Sequence, residues 1–172
     1  VHYLRQNGVY IDFDKGIADV ENVINRFFDG DGMKYAIAYY EALAKLPEYG
    51  NFDIIGHFDI ITKHCENKTF FDMESKEYLY AAIEAMEALK GKIPFFEVNT
   101  GAMARGYRTT PYPAINLIKE LKKLGFGAVI TSDCHNKRML EYGFDTAAEL
   151  LKRCGYKEKY ILTKSGFEAV EI

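Results

Sequence analysis

The 172-residue chain has only three cysteines, Cys65, Cys134 and Cys154. Their odd number and the lack of any Cys-x-x-Cys spacing argue against a disulfide framework and fit a reduced, cytoplasmic protein. No signal peptide and no run of 18 apolar residues is found, so neither secretion nor a membrane span is expected. Excess positive charge is also lacking. A net charge of −3 supplies no electrostatic footprint for a nucleic-acid backbone, although a local basic pocket for one phosphate is compatible with it. There is no internal repeat, low-complexity tract or interdomain linker. The chain opens at Val1-His2-Tyr3 without a methionine, and the expectation is that something precedes it.

What is present is 48% hydrophobic residues, enough for a single domain with a sizeable core. From residue 50 onward short apolar runs alternate with amphipathic segments. The patterns predict strands over 53–56, 94–98, 127–132 and 159–163, with helices over 75–90, 112–124 and 144–154 between them. Two further helices are predicted over 17–28 and 33–46, separated by the turn Asp29-Gly-Asp-Gly32. This turn resembles a calcium loop only superficially, because Met33 falls at a ligand position and no glutamate at the twelfth. Tyr35, Tyr39 and Leu43 repeat at helical spacing and read as core. Strand–helix alternation with short connections implies a parallel sheet or barrel, whose functional residues gather after the carboxyl ends of strands. A complete barrel of that kind needs roughly 200 residues or more, so the chain is expected to be the C-terminal part of one.

His57, Asn99, Asp133 and His135 all stand at those strand ends. Asp133 and His135 flank Cys134, and the period of two in an extended chain sends the carboxylate and imidazole one way and the thiol another. Such donors together suit zinc, iron or manganese, a hydrogen-bonded pair being the plainer alternative. A small buried thiol is the expected role of Cys134. His57 and Asp59 repeat the spacing at an upstream strand end. For His57 the alternatives are a metal ligand and a satisfied core histidine, and for Asp59 they are a metal ligand, an acceptor orienting His57 and a helix cap. His2 reads equally as a ligand or a loop residue; His64 reads as a solvated helix face or a substrate contact. Glu97 and Asn99 share a face at a third strand end, where a buried polar tie is the plainer role of Glu97 and catalysis the sharper one. The following loop brings Arg105 and Arg108 to the same rim, and a guanidinium matches phosphate oxygens bidentately. Lys137 and Arg138 are weaker candidates for that task, and solvated loop arginines are the plain alternative.

Taken together, Val1-His-Tyr3, Gly56-His-Phe-Asp59, Glu97-Val-Asn-Thr100, Tyr112-Pro113 and Ser132-Asp-Cys-His135 resemble the later motifs of the PHP (polymerase and histidinol phosphatase) superfamily, within it the monofunctional histidinol-phosphatases. The resemblance runs over essentially the whole chain. It implies a single PHP domain over 1–172, N-terminally incomplete, with an α/β fold that is a distorted TIM-like (β/α) barrel. It further implies two or three divalent metal ions in the intact enzyme and hydrolysis of L-histidinol phosphate in histidine biosynthesis. His2, His57, Asp133 and His135 match metal-ligand positions, with Asp133 and His135 carrying the reaction and Arg105 and Arg108 holding phosphate. Tyr107, Tyr112 and Glu97 are the candidates to face the imidazole and ammonium of that substrate. The family's His-x-His motif, a further histidine and a glutamate ligand find no counterpart here and are expected before Val1. Fewer ions are therefore expected in this chain, and a retained N-terminal fragment or a second copy is the expected partner. Two alternatives stay open: a PHP phosphoesterase acting on a nucleotide or sugar phosphate, and a non-catalytic metal-binding half-barrel.

Overall fold

The computed structural model describes residues 2–12 and 14–172, so Val1 of the first motif lies outside the described residues. The chain forms two compact units, residues 1–50 with 60–89 and residues 51–59 with 90–172. No helix among the described residues is long and apolar enough to cross a membrane.

The first unit holds β1 (Tyr3–Gln6), β2 (Val9–Asp12), α1 (Ile17–Phe27), α2 (Gly32–Ala44) and α3 (Lys76–Leu89). The β1–β2 hairpin was not expected, although its signal is in the sequence: Asn7-Gly8, both at positive φ, is the dipeptide that closes a two-residue antiparallel turn. Asp31 caps α2, its carboxylate accepting from the backbone N–H groups of Met33 at 2.8 Å and Lys34 at 3.2 Å. The expected stripe is core, with Tyr35, Tyr39 and Leu43 fully buried. α3 contributes Tyr78, Ala82, Ala85, Met86 and Leu89 to the same core. The hydroxyls of Tyr40 and Tyr78 hydrogen-bond at 2.7 Å, and Phe71 stacks on Tyr78 with ring centroids 5.5 Å apart. Hydroxyls buried this deeply need that partnership.

The second unit holds β3 (Ile54–Ile55), β4 (Phe95–Asn99), the short α4 (Gly101–Ala104), α5 (Ile115–Lys123), β5 (Gly127–Thr131), α6 (Phe144–Arg153), β6 (Glu158–Thr163) and β7 (Gly166–Glu171). The strands form one sheet in the order β3-β4-β5-β6-β7, parallel through β6 with β7 antiparallel at the edge. The α/β class and the four parallel strands follow the expectation. The hairpin strand β7 does not, and among the described residues the sheet is open, with no closure into a barrel.

Successive right-handed crossovers put α5 and α6 on one face, where Phe96, Val98 and Ala128 are completely buried together with Leu117, Ile118, Leu121, Ala147 and Leu151. Tyr156 closes that layer, its ring 5.9 Å from Phe96 and its hydroxyl donating to the Phe126 carbonyl at 3.0 Å. The other face changes character along the strands. It carries an aromatic cluster of Phe95, Tyr160 and Phe167, with centroids 4.5–4.6 Å apart. Gly127 makes room for them, since a Cβ there would come within 2.7–2.9 Å of the Phe95 and Tyr160 rings. Toward the carboxyl ends the same face carries Glu97, Asn99 and Thr131.

Candidate functional site

Glu97 ties three strand ends together. Its Oε2 accepts the His57 backbone N–H at 2.6 Å and the Asn99 side-chain amide at 2.9 Å, while Oε1 accepts the Thr131 hydroxyl. Asn99 passes the tie on, its Oδ1 accepting the Gly101 backbone N–H at 2.9 Å. Of the two readings of Glu97, the geometry is that of the polar tie. It locks the carboxyl ends of β3, β4 and β5 into register, and so sets where the loops that follow them begin.

Those loops start under backbone strain. His57 at φ +21° and Asp133 at φ +44° lie in the left-handed region that non-glycine residues seldom adopt. The other positive-φ non-glycines among the described residues, Asn7 and Asp29, sit in tight turns. Strain of this kind concentrates at functional sites.

At the β5 end Asp133 and His135 stand side by side. The His135 Nδ1 lies 2.7 Å from the Asp133 carbonyl oxygen and 3.9 Å from its Oδ1. Arg105, just past α4, lies across both. One terminal nitrogen donates to the Asp133 carbonyl at 3.0 Å and meets His135 Nδ1 at 3.1 Å, and the other donates to Asp133 Oδ2 at 3.3 Å. The guanidinium and the carboxylate are each about one third exposed, at 33% and 34%. Gly101 permits this approach: a Cβ there would stand 2.8 Å from the Ser132 carbonyl and 3.0–3.1 Å from the Arg105 nitrogens. Thr100 fastens the far side of the loop, donating to the Tyr142 carbonyl at 2.6 Å.

The other candidates are placed differently. His57 leaves β3 two residues past Ile55, which is level with Phe96 and hence with Ala128, whereas Asp133 lies five residues beyond Ala128. β3 and β5 are separated by β4, which sets their backbones roughly 10 Å apart. His2 belongs to the first unit, where its Nδ1 lies 3.2 Å from Asp14 and Asp14 also accepts from Lys63 at 2.7 Å. Arg108 is buried, its side chain only 5% exposed. It lies 3.9 Å from Asp59, donates to Thr110 at 3.2 Å and stacks 4.6 Å over the Tyr112 ring. Asp59, fully buried, accepts the Ala114 backbone N–H at 3.0 Å and so caps the start of α5. Burial pushes its carboxyl above the ordinary range, with Arg108 and the Ala114 N–H pulling it back.

Two expectations are corrected. His64 is buried and bonded to the Lys15 carbonyl at 2.7 Å rather than lying on a solvated face. Cys134 is partly exposed and donates to the Asn136 carbonyl rather than filling a buried niche. The cause is the turn at Asp133, which ends the alternation before the thiol can point into the sheet.

Carboxylate and imidazole donors fit zinc, iron or manganese in kind. The β5 end offers two of them as a pair; no group of three or more histidines, cysteines, aspartates and glutamates stands together among the described residues. No family model and no curated protein matches the chain.

Proposed function

We propose that this chain carries the site of a metal-dependent phosphomonoesterase of the PHP type acting on L-histidinol phosphate, on a sheet that belongs to a distorted (β/α) barrel. The observation that carries the reading is the juxtaposition of Arg105 with Asp133 and His135, a phosphate-matching cation laid on two metal-ligand side chains at a strained strand end. The sequential parallel order of β3 to β6 supports the barrel, whose sites lie at that edge.

Asp133 and His135 would hold a divalent ion, joined in the family pattern by His57. Such ions supply Lewis-acid polarisation of the phosphoryl group and a lowered water pKa. The chain's own contribution then turns on Arg105. Its guanidinium contacts the Asp133 carboxylate and His135 Nδ1, and with those side chains holding an ion it would stay tethered at the rim with its fork open to phosphate oxygens. Arg108, sealed against Asp59 and Tyr112, supports the rim and leaves substrate capture to Arg105. A metal-linked water or an acid near Asp133 would protonate the departing alkoxide.

Phosphate release from histidinol phosphate, nucleotides and sugar phosphates by metal-supplied protein tests the reading. Release from histidinol phosphate should dominate and vanish with chelator. Asp133→Ala should lower kcat by about 100-fold or more. Arg105→Ala should mainly raise KM, by roughly 10- to 150-fold for lost charged hydrogen bonds. Preference for a nucleotide or sugar phosphate would move the substrate assignment, and no metal-dependent release from any of them would reject it.

A further inference from the structure

The first unit has a feature that this reading does not use. Tyr3, Tyr10 and Tyr49 are 57%, 71% and 76% exposed, and all three line one cavity of about 570 Å³. Single exposed apolar side chains are ordinary, but three aromatic rings on one concavity are not. The cavity lies between the β1–β2 hairpin and the C-terminal half of α2, and Arg5, Glu41 and Lys45 supply its charges. Its size is that of a small-molecule site.

The hairpin register explains the arrangement. Leu4 opposite Ile11 forms the buried face, so the alternate positions, with Tyr3 opposite Asp12 and Arg5 opposite Tyr10, form the outer one. Tyr3 and Tyr10 are thus a diagonal pair across an antiparallel ladder, their backbones roughly 7–8 Å apart, within reach of one planar ligand. The Arg5 guanidinium stands 5.9 Å from the Tyr10 ring centre. Glu41 and Lys45 are one helical turn apart at the end of α2 and bring a carboxylate and an ammonium to the same wall.

We propose that this cavity binds a nucleoside monophosphate whose base carries an exocyclic amine, such as adenosine 5′-monophosphate. Tyrosine faces stack on any base, Glu41 accepts from the amine, and Arg5 with Lys45 answers the phosphate charge. A sugar would stack equally well but would leave both cations without an anion. A purely apolar ligand would strip water from three charged groups without replacing it. The site is built wholly within the first unit and stands independently of the phosphatase reading.

The test is an NMR titration of the protein with adenosine 5′-monophosphate, following the ring resonances of the three tyrosines. Saturable shifts confined to them are expected. Tyr10→Ala should weaken binding roughly 5- to 150-fold, the effect of losing one stacked base. The double variant Arg5→Gln/Lys45→Gln should weaken the monophosphate while leaving adenosine unchanged, and Glu41→Gln should erase the preference over uridine 5′-monophosphate. These side chains are solvent-facing, so an unchanged unfolding midpoint verifies that each variant folds. Linear, unsaturating shifts up to about 10 mM, where association is worth little, would overturn the proposal. So would saturation that Tyr10→Ala leaves intact, or a disaccharide that binds as tightly.

Discussion

At Asp133 the chain turns through φ +44°, and within two residues it presents a carboxylate and an imidazole to a single guanidinium. That contact depends on the absence of a side chain at Gly101. Gly101→Ala would press on the Ser132 carbonyl, a backbone atom that cannot swing aside, and on Arg105, which can. A loss of roughly 1–3 kcal/mol is expected in urea unfolding, with faster exchange of the Arg105 guanidinium protons; an unchanged midpoint and unchanged exchange would show the approach to be loose. Asp59 makes a second prediction at this scale. Its folded pKa is raised above the ordinary 3.8 by burial. Between those two values the folded state keeps a proton that the unfolded state has lost, so stability falls as pH rises through that window. Asp59→Asn should flatten that slope while keeping an oxygen for the Ala114 N–H. A variant whose stability follows the wild-type pH profile would show that another group carries it. Asp59→Ala, which removes both the carboxylate beside buried Arg108 and the acceptor of the Ala114 N–H, should cost about 3–5 kcal/mol.

Among the elements, the β1–β2 hairpin has the clearest local cause. Gly8 sits at φ +80° with open space around the position of a Cβ, so Gly8→Ala isolates the backbone cost from any clash. A destabilisation of roughly 1–2 kcal/mol is expected in thermal or urea unfolding, and fraying of the hairpin should weaken nucleotide binding in parallel. No change in either would mean that the turn does not hold the register. α5 shows the opposite case. Its own sequence provides no capping side chain at Ala114, and the acceptor comes from Asp59, 55 residues earlier. Nothing in the local pattern around Pro113 announces that partner.

For the whole molecule, the metal reading has a thermodynamic consequence apart from turnover. An ion that binds only the folded chain, supplied at a hundred times its dissociation constant, should add about 2.7 kcal/mol of stability. Thermal unfolding with zinc, iron(II) or manganese should therefore move upward, and Asp133→Ala should abolish most of the shift. Three ions without effect would reject a metal site in this chain.

Much of the architecture was legible beforehand because its causes are local. Periods of 3.6 and 2 and Gly91 and Gly125 at positive φ after their helices each act within a few residues. They set the helices and the four parallel strands. The signal of Asn7-Gly8 is equally local, and the two-residue β3 carries little pairing of its own. What tertiary structure alone decided is which polar groups share a partner. Arg105 and Arg108 lie in one loop and look alike in sequence, yet one crosses to Asp133 at the rim while the other is sealed beneath Asp59 and Tyr112. His64 turns inward to a carbonyl 49 residues away, and Glu97 binds groups on two other strands. A charged or polar side chain carries no periodicity that marks its destination; its place is set by the desolvation it must offset, and that exists only once distant segments have come together.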